Sequence, residues 1–220
     1  MGFSLSGLLA LVAFLNAPLS SVAGGDNVPS RIELPRQGFE LIANNHGVAV
    51  YKNNSSDVIW IGAVGLIPAS PERVYQALLE YERQVGRIGR VSEATVLSRH
   101  AGGLLVYQRL NLPVISDRDF VLRVAYGGDL ARHWITYRAV TDSGPGPRDG
   151  IVRVVRNVGA WELVPTQDGQ ATIASCEFRI HLGGMLPLWM AKAGAGREVP
   201  QLFTDICKLS LGSGKEATCP

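Results

Sequence analysis

Apolar and polar residues alternate with a period of two along most of the chain beyond residue 91. Such alternation predicts β-strands. Seven candidates follow one another: Ala94–Ser98, Leu104–Leu110, Phe120–Tyr126, His133–Val140, Ile151–Val158, Trp161–Val164 and Thr172–Leu182. Turn clusters separate several of them, so neighbouring strands are expected to run antiparallel. In two of them the apolar residues share one face, which predicts a sheet with one apolar and one largely wet face.

The chain before residue 91 predicts two more strands and a short helix. The strands are Val48–Lys52 and Val58–Leu66, with a polar turn cluster between them. The helix begins at Ser70-Pro71, because serine is a good N-cap and proline is favoured at the first helical position. The segment Gly38–Asn45 is interpreted as one or two helical turns.

A long amphipathic helix is predicted near the end of the chain. Its apolar residues recur at helical spacing: Val199, Leu202, Phe203, Ile206 and Leu209. Gly194, Gly196 and Pro200 are expected to interrupt it, with a kink near Pro200. A curved antiparallel sheet packed against one long C-terminal helix is an α+β domain.

Composition narrows the class of protein. The chain has 220 residues, of which 46% are apolar and only 18% charged, and its net charge is +2. This length fits one domain, and the low charge argues against a disordered chain. Nothing indicates the concentrated basic face of a nucleic-acid binder, so no nucleic-acid partner is expected.

The first 23 residues resemble a signal peptide. They carry no charged side chain, and the apolar run Leu8–Leu15 is too short to span a bilayer. Ser21-Val22-Ala23 supplies small residues for cleavage after Ala23. We therefore expect an exported protein, periplasmic or secreted. The alternative is an N-terminal helix that packs on the domain.

Three cysteines allow two interpretations. In an oxidising compartment Cys207 and Cys219 could form a disulfide that pins the C-terminus, leaving Cys176 as a small buried residue. Alternatively, all three are free thiols. No cluster of cysteine and histidine has the spacing of a metal site, so no metal is expected.

Four motifs together resemble the START family of lipid-transfer domains. They are Ser70–Tyr75, Asp117–Val121, Gly159–Pro165 and Gly183–Trp189. The resemblance covers residues 36–211. Outside it lie the predicted signal peptide at 1–23, a linker at 24–35 and a C-terminal tail at 212–220.

The resemblance implies a helix-grip fold with an internal hydrophobic tunnel. The tunnel would hold one lipid, of the sterol, phospholipid or fatty-acid class, and the protein would carry it between membranes without catalysis or cofactor. A monomer with brief membrane contact is expected. The Gly/Pro-rich loop 141–150 is matched to the family's lid, with Gly144, Pro145, Gly146 and Pro147 at its centre.

Apolar and aromatic residues of the sheet and final helix are the candidate tunnel wall. They are Trp60, Tyr107, Phe120, Leu122, Val124, Tyr126, Trp161, Phe178, Ile180, Trp189, Met190, Phe203 and Ile206. The alternative is that they form an ordinary core.

A charged anchor inside the tunnel is not expected. Gln108 and Val124 stand where some sterol-binding members carry a buried acid and an arginine. The adjacent Arg109 and Arg123 should face the other side of the sheet. Gln108 or Tyr107 is then the candidate polar anchor.

Two other functions remain open. The wider helix-grip superfamily includes polyketide cyclases and aromatases, which would need an acid or base in the same tunnel. Tyr107, Arg109 and His133 are the candidates for that role. The third hypothesis is a lipid sensor with a protein partner.

Overall fold

The computed structural model describes residues 32–54, 58–112, 115–184, 194–212 and 219–220. The described residues form ten strands: β1 Phe39–Asn45, β2 Val48–Asn53, β3 Ile59–Ile67, β4 Val91–His100, β5 Gly103–Leu110, β6 Asp117–Gly128, β7 His133–Val140, β8 Ile151–Arg153, β9 Arg156–Pro165 and β10 Thr172–His181. The helices are α1 Pro71–Leu79, a 3₁₀ helix Tyr81–Gln84 and α2 Ala195–Leu211. The predicted signal peptide lies outside the described residues, as do Trp189 and Met190.

The strands form one curved sheet in the order β1-β2-β3-β10-β9-β7-β6-β5-β4. Every pair along this path is antiparallel, whereas β8 lies parallel to the start of β6. Both helices pack on one face, which we call the inner face; on β6 it carries Phe120, Leu122 and Val124. The predicted α+β helix-grip fold is confirmed.

The segment Gly38–Asn45 is not helical, so that prediction was wrong. Phe39–Asn45 is strand β1, and it pairs with β2 across the two-residue turn His46-Gly47. Both turn residues have positive φ angles, 53° and 75°. This is the geometry of a tight hairpin turn, which suits the right-handed twist of the strands.

The prediction of one strand over Ile151–Val158 was also wrong, because the structure divides this segment between two strands. Ile151–Arg153 forms β8, and a continuous β9 begins at Arg156. The break occurs where the backbone N–H of Val154 donates to the carbonyl of Asp119, 2.8 Å away. Strand β8 therefore lies beside β6, whereas β9 lies in the middle of the sheet between β10 and β7.

Helix α1 begins as predicted, with Ser70 at the N-cap and Pro71 in the first turn. Helix α2 differs from the prediction, because it runs through Gly196 and Pro200 without interruption. Proline has no N–H to donate to the carbonyl four residues earlier. The side chain of Asn45 donates to that carbonyl, of Gly196, at 3.4 Å.

The core lies between the inner face and the two helices. Phe203 of α2 is fully buried and packs on Trp161 of β9, with ring centroids 5.5 Å apart. Cys207 of α2 is also fully buried and is joined to Cys219 by a disulfide. Cys176 is a buried free thiol on β10.

Residues 32–38 cross the outer face of the sheet. The backbone N–H of Ile32 donates to the buried Glu162, and Arg36 pairs with the buried Glu177 at 2.8 Å. The end of the predicted linker therefore packs on the domain. Among the described residues, no helix is both long and apolar enough to cross a membrane.

Candidate functional site

A cavity of about 180 Å³ lies between the inner face, α1, the 3₁₀ helix and α2. Its lining residues are Leu78, Tyr81, Gln84, Ile88, Val91, Gln108, Phe120, Leu122, Ile135, Tyr137, Asn157, Trp161 and Leu202. Ligand sites commonly measure roughly 300–1,000 Å³ and combine apolar walls with a few polar groups. The lining has that character, although the volume is smaller.

Two glutamines connect the cavity wall to the end of α1. The Gln84 amide donates to the carbonyls of Ala77 and Leu78 at 3.2 and 3.0 Å. Its oxygen accepts a hydrogen bond of 3.1 Å from Gln108. Because helix carbonyls at a C-terminus lack intrahelical partners, Gln84 both caps α1 and positions Gln108 at the cavity.

Two tyrosines line the cavity, Tyr81 and Tyr137. Burial raises the pKa of both Tyr81 and Tyr137 above the ordinary value, so each stays a neutral hydroxyl at physiological pH. The Tyr137 ring packs against Gly159: a Cβ atom on Gly159 would be 2.3 Å from the phenol oxygen of Tyr137. The glycine of the Gly-x-Trp motif thus leaves room for the Tyr137 ring.

Of the predicted wall residues, four line the cavity: Gln108, Phe120, Leu122 and Trp161. Five others lie on the inner face or α2 and pack into the surrounding core: Val124, Phe178, Ile180, Phe203 and Ile206. Tyr126 instead makes an edge-on contact with Tyr75 of α1, with centroids 6.2 Å apart.

Trp60 and Tyr107 were wrongly assigned to the wall, because both face outward. Trp60 donates to Glu177 at 2.7 Å and lies under the Arg179 guanidinium. Tyr107 is paired with Val121, on the outer face of β6, and its hydroxyl donates to Asp119 at 3.2 Å. Tyr107 is therefore not the polar anchor, whereas Gln108 does reach the cavity.

The lid prediction for loop 141–150 is not supported by its position. A Cβ atom on Gly144 would be 2.7 Å from Val121, so the loop packs on the outer face, opposite the cavity. Arg148 reaches back over the Tyr107 ring, 5.0 Å from its centroid. Loop 141–150 connects β7 to β8.

Comparison with protein families identifies the chain. Residues 67–207, more than half of its length, match the family described as polyketide cyclase/dehydrase and lipid transport. The chain belongs to this START-like, helix-grip family. Among curated protein sequences it has no significant match.

Solved structures share the START fold. Human STARD10 gives a TM-score of 0.72 at 18% identity, over 79% of this chain and 73% of that one. A STAR-related lipid transfer protein fragment from Xanthomonas axonopodis gives 0.72 at 21% identity, over 80% and 99%. Zhui aromatase/cyclase from Streptomyces sp. R1128 gives 0.52 at 14% identity, over 70% and 94%. At these low identities the TM-scores establish a common fold.

The Arg-Asp motif of the START-like domain is structural here. Arg118 is buried, and its guanidinium donates to the carbonyls of Ser116, Leu182 and Gly183. Asp119 is fully buried on the opposite face of the same strand. Arg118 therefore fixes the chain just beyond β10, on the way to α2.

The three candidate catalytic residues do not line the cavity. Tyr107 and Arg109 face outward, and Arg109 pairs with Asp117. His133 stacks on Tyr75 at 4.6 Å and lies 3.7 Å from Glu72, under α1. Arg109 thus lies on the face opposite the cavity.

Sequence reasoning missed four polar residues of the cavity: Tyr81, Gln84, Tyr137 and Asn157. Tyr81 continues the helical stripe of Val74 and Leu78, so its inward direction was readable. Asn157 lies four residues before Trp161 on β9, so the two side chains share one face of the strand. Gln84 had no such signal, since it lies in a 3₁₀ helix.

The buried thiol of Cys176 should make the domain less stable at alkaline pH. Burial raises the pKa of Cys176 from 9.0 to about 12. Its contribution is therefore complete below pH 9 and lost as the pH rises toward 12, because only the unfolded chain releases the proton there. The slope should rise from near zero at about pH 8 toward about 1.4 kcal/mol per pH unit at about pH 10. Urea unfolding at about pH 8 to 10 should show it in the wild type. Cys176→Ala should remove it; an unchanged slope would contradict the assignment.

Proposed function

We propose that this START-like protein binds one hydrophobic lipid in the inner cavity and carries it between membranes without catalysis. The supporting observation is the cavity itself, whose walls are aliphatic and aromatic and whose polar groups are few and neutral. Burial of hydrocarbon contributes about 0.8 kcal/mol per methylene, which is enough to hold a lipid. Native mass spectrometry of protein from its own host tests this: an intact co-purified lipid is expected.

Loading requires the cavity to open, because about 180 Å³ corresponds to only about six waters of liquid volume. Loop 85–90 and α2 form one side of it, through Ile88 and Leu202. The two are joined by the Gly89 N–H, which donates to Asp205 at 2.9 Å, and by the Arg90–Glu198 pair at 3.4 Å. These contacts are exposed, and such pairs contribute little stability. We propose this junction, rather than loop 141–150, as the gate.

Filling the cavity should slow lipid transfer. Leu122 is buried on the inner face of β6, so Leu122→Trp places an indole in the space meant for the ligand. Lipid transfer between donor and acceptor vesicles should fall at least about tenfold, equivalent to about 1.4 kcal/mol. Arg123→Trp puts the same group on the outer face of the adjacent position and should leave the rate unchanged. Equal rates for the two variants would overturn the proposed site.

A cyclase or aromatase function is the second candidate. The family description includes such enzymes, and two tyrosines line the cavity. Their raised pKa values favour hydrogen-bond donation over action as a base. Turnover of an aromatic polyketide by purified protein, lost in Tyr137→Phe, would favour this candidate over carriage.

We also propose export, with cleavage near Ala23. The Cys207–Cys219 disulfide supports it, since such bonds persist in oxidising compartments. The N-terminal sequence of the protein recovered from the host's extracytoplasmic fraction should begin at Gly24. Recovery of the intact N-terminus from the cytoplasm would count against export.

A further inference from the structure

The polar residues of the cavity wall carry no formal charge. They are Tyr81, Gln84, Gln108, Tyr137 and Asn157. Within the described part of the chain, no acidic, basic or histidine side chain lines the cavity. The wall therefore offers hydrogen bonds but no counter-ion.

Several of these groups have no protein partner. Gln84 is fully occupied by α1 and Gln108, but no described residue hydrogen-bonds to the side-chain oxygen of Gln108. Among the described residues, nothing hydrogen-bonds to the Tyr81 or Tyr137 hydroxyl or to the Asn157 amide, although Tyr81, Gln108 and Asn157 are each more than nine-tenths buried. Buried polar groups usually have partners. Donors and acceptors thus remain for a ligand.

Charged groups near the cavity are already paired elsewhere. Arg118 shares the inner face, but its guanidinium is used by three backbone carbonyls. Arg109 and Arg123 lie on the outer face with Asp117 and Asp142. A carboxylate or phosphate entering the cavity would lose its hydration without gaining a cation, which is strongly unfavourable.

We infer that the cavity selects an uncharged lipid whose polar end is a hydroxyl or carbonyl. This inference rests on the proposed lipid-binding function and names its ligand class. The polar end meets Tyr81, Tyr137, Asn157 and Gln108, which supply both donors and acceptors. The apolar body contacts the aliphatic and aromatic wall residues Phe120, Leu122, Ile135 and Trp161. Anionic fatty acids and phospholipid headgroups are excluded from this part of the cavity.

The test compares two ligands of equal chain length. The uncharged fluorescent probe N-phenyl-1-naphthylamine is bound to the full-length protein at about pH 8, where a carboxyl group is ionised. It is then displaced with decan-1-ol or decanoate. The alcohol should bind at least about tenfold more tightly. Equal or tighter binding of decanoate would overturn the ligand class while leaving lipid binding intact.

Two variants locate the polar end. Tyr137→Phe and Asn157→Leu should each weaken decan-1-ol binding by about fivefold. Arg123→Ala, on the outer face of β6, is the control and should leave binding of both decan-1-ol and the probe unchanged. Undiminished alcohol binding in both cavity variants would overturn the assignment of these residues. If neither probe nor ligands bind the wild type, the proposed lipid-binding function fails, and the inference fails with it.

Discussion

Asp119→Ala is expected to lower the free energy of unfolding by about 3–5 kcal/mol. The Asp119 carboxylate is fully buried and accepts hydrogen bonds from Arg153 at 2.7 and 3.0 Å and from the Tyr107 hydroxyl at 3.2 Å. The alanine variant would leave the mostly buried Arg153 guanidinium without its anion. Arg153 also donates to the carbonyls of Pro145 and Gly146. Urea unfolding measures the loss, and limited proteolysis should cut loop 141–150 faster.

A neighbouring aspartate provides the matched control. Asp117 lies on the same strand and face, but its partner Arg109 is about one-third exposed. Asp117→Ala should cost about 1 kcal/mol or less. Tyr107→Phe removes one hydrogen bond from Asp119 and should also cost about 1 kcal/mol. If Asp119→Ala costs no more than Asp117→Ala, the buried pair does not hold β8 and its loop in place.

Phe203→Ala should destabilise the domain by about 3–5 kcal/mol, because it removes a fully buried ring from the junction of helix and sheet. The ring contacts Trp161, and a Cβ atom on Gly65 would lie 3.0 Å from it. Thermal and urea unfolding measure the cost. Gln201→Ala, an exposed change on the same helix, should stay within about 0.5 kcal/mol.

A small effect of Phe203→Ala would mean that α2 does not close the core at this point. Phe203→Leu keeps most of the apolar volume and should lose less, so it serves if the alanine variant does not fold.

The sequence was informative about the fold because its local patterns and its motifs agreed. Period-two alternation placed most strands, and Ser70-Pro71 placed α1. The first hairpin was missed because the apolar residues Leu41 and Ile42 of Phe39–Asn45 are adjacent. The segment therefore lacks the alternation of apolar and polar residues that predicts a strand. The turn His46-Gly47 that reveals the hairpin is not among the commonest hairpin pairs.

The site was harder to predict than the fold, because a residue's facing depends on register. Strand β5 carries apolar residues on both faces: Leu104 and Val106 face inward, whereas Leu105 and Tyr107 face outward. Only the pairing of Gln108 with Phe120 decides which set meets the cavity. Hydrogen bonding between distant segments, such as Gln84 with Gln108, leaves no local pattern in the sequence.

The irregularities of strand pairing are confined to the two edges of the sheet. Along the strand order, β1 shifts register between Leu41 and Ala43, and β4 shifts between Val91 and Glu93 and between Val96 and Ser98. The interior antiparallel pairs run without a shift. An open sheet exposes unpaired backbone groups that can recruit another copy, and bulges disrupt that template. The bulges thus make both edge strands poor templates for edge-to-edge association, while the regular interior strands keep the inner face continuous.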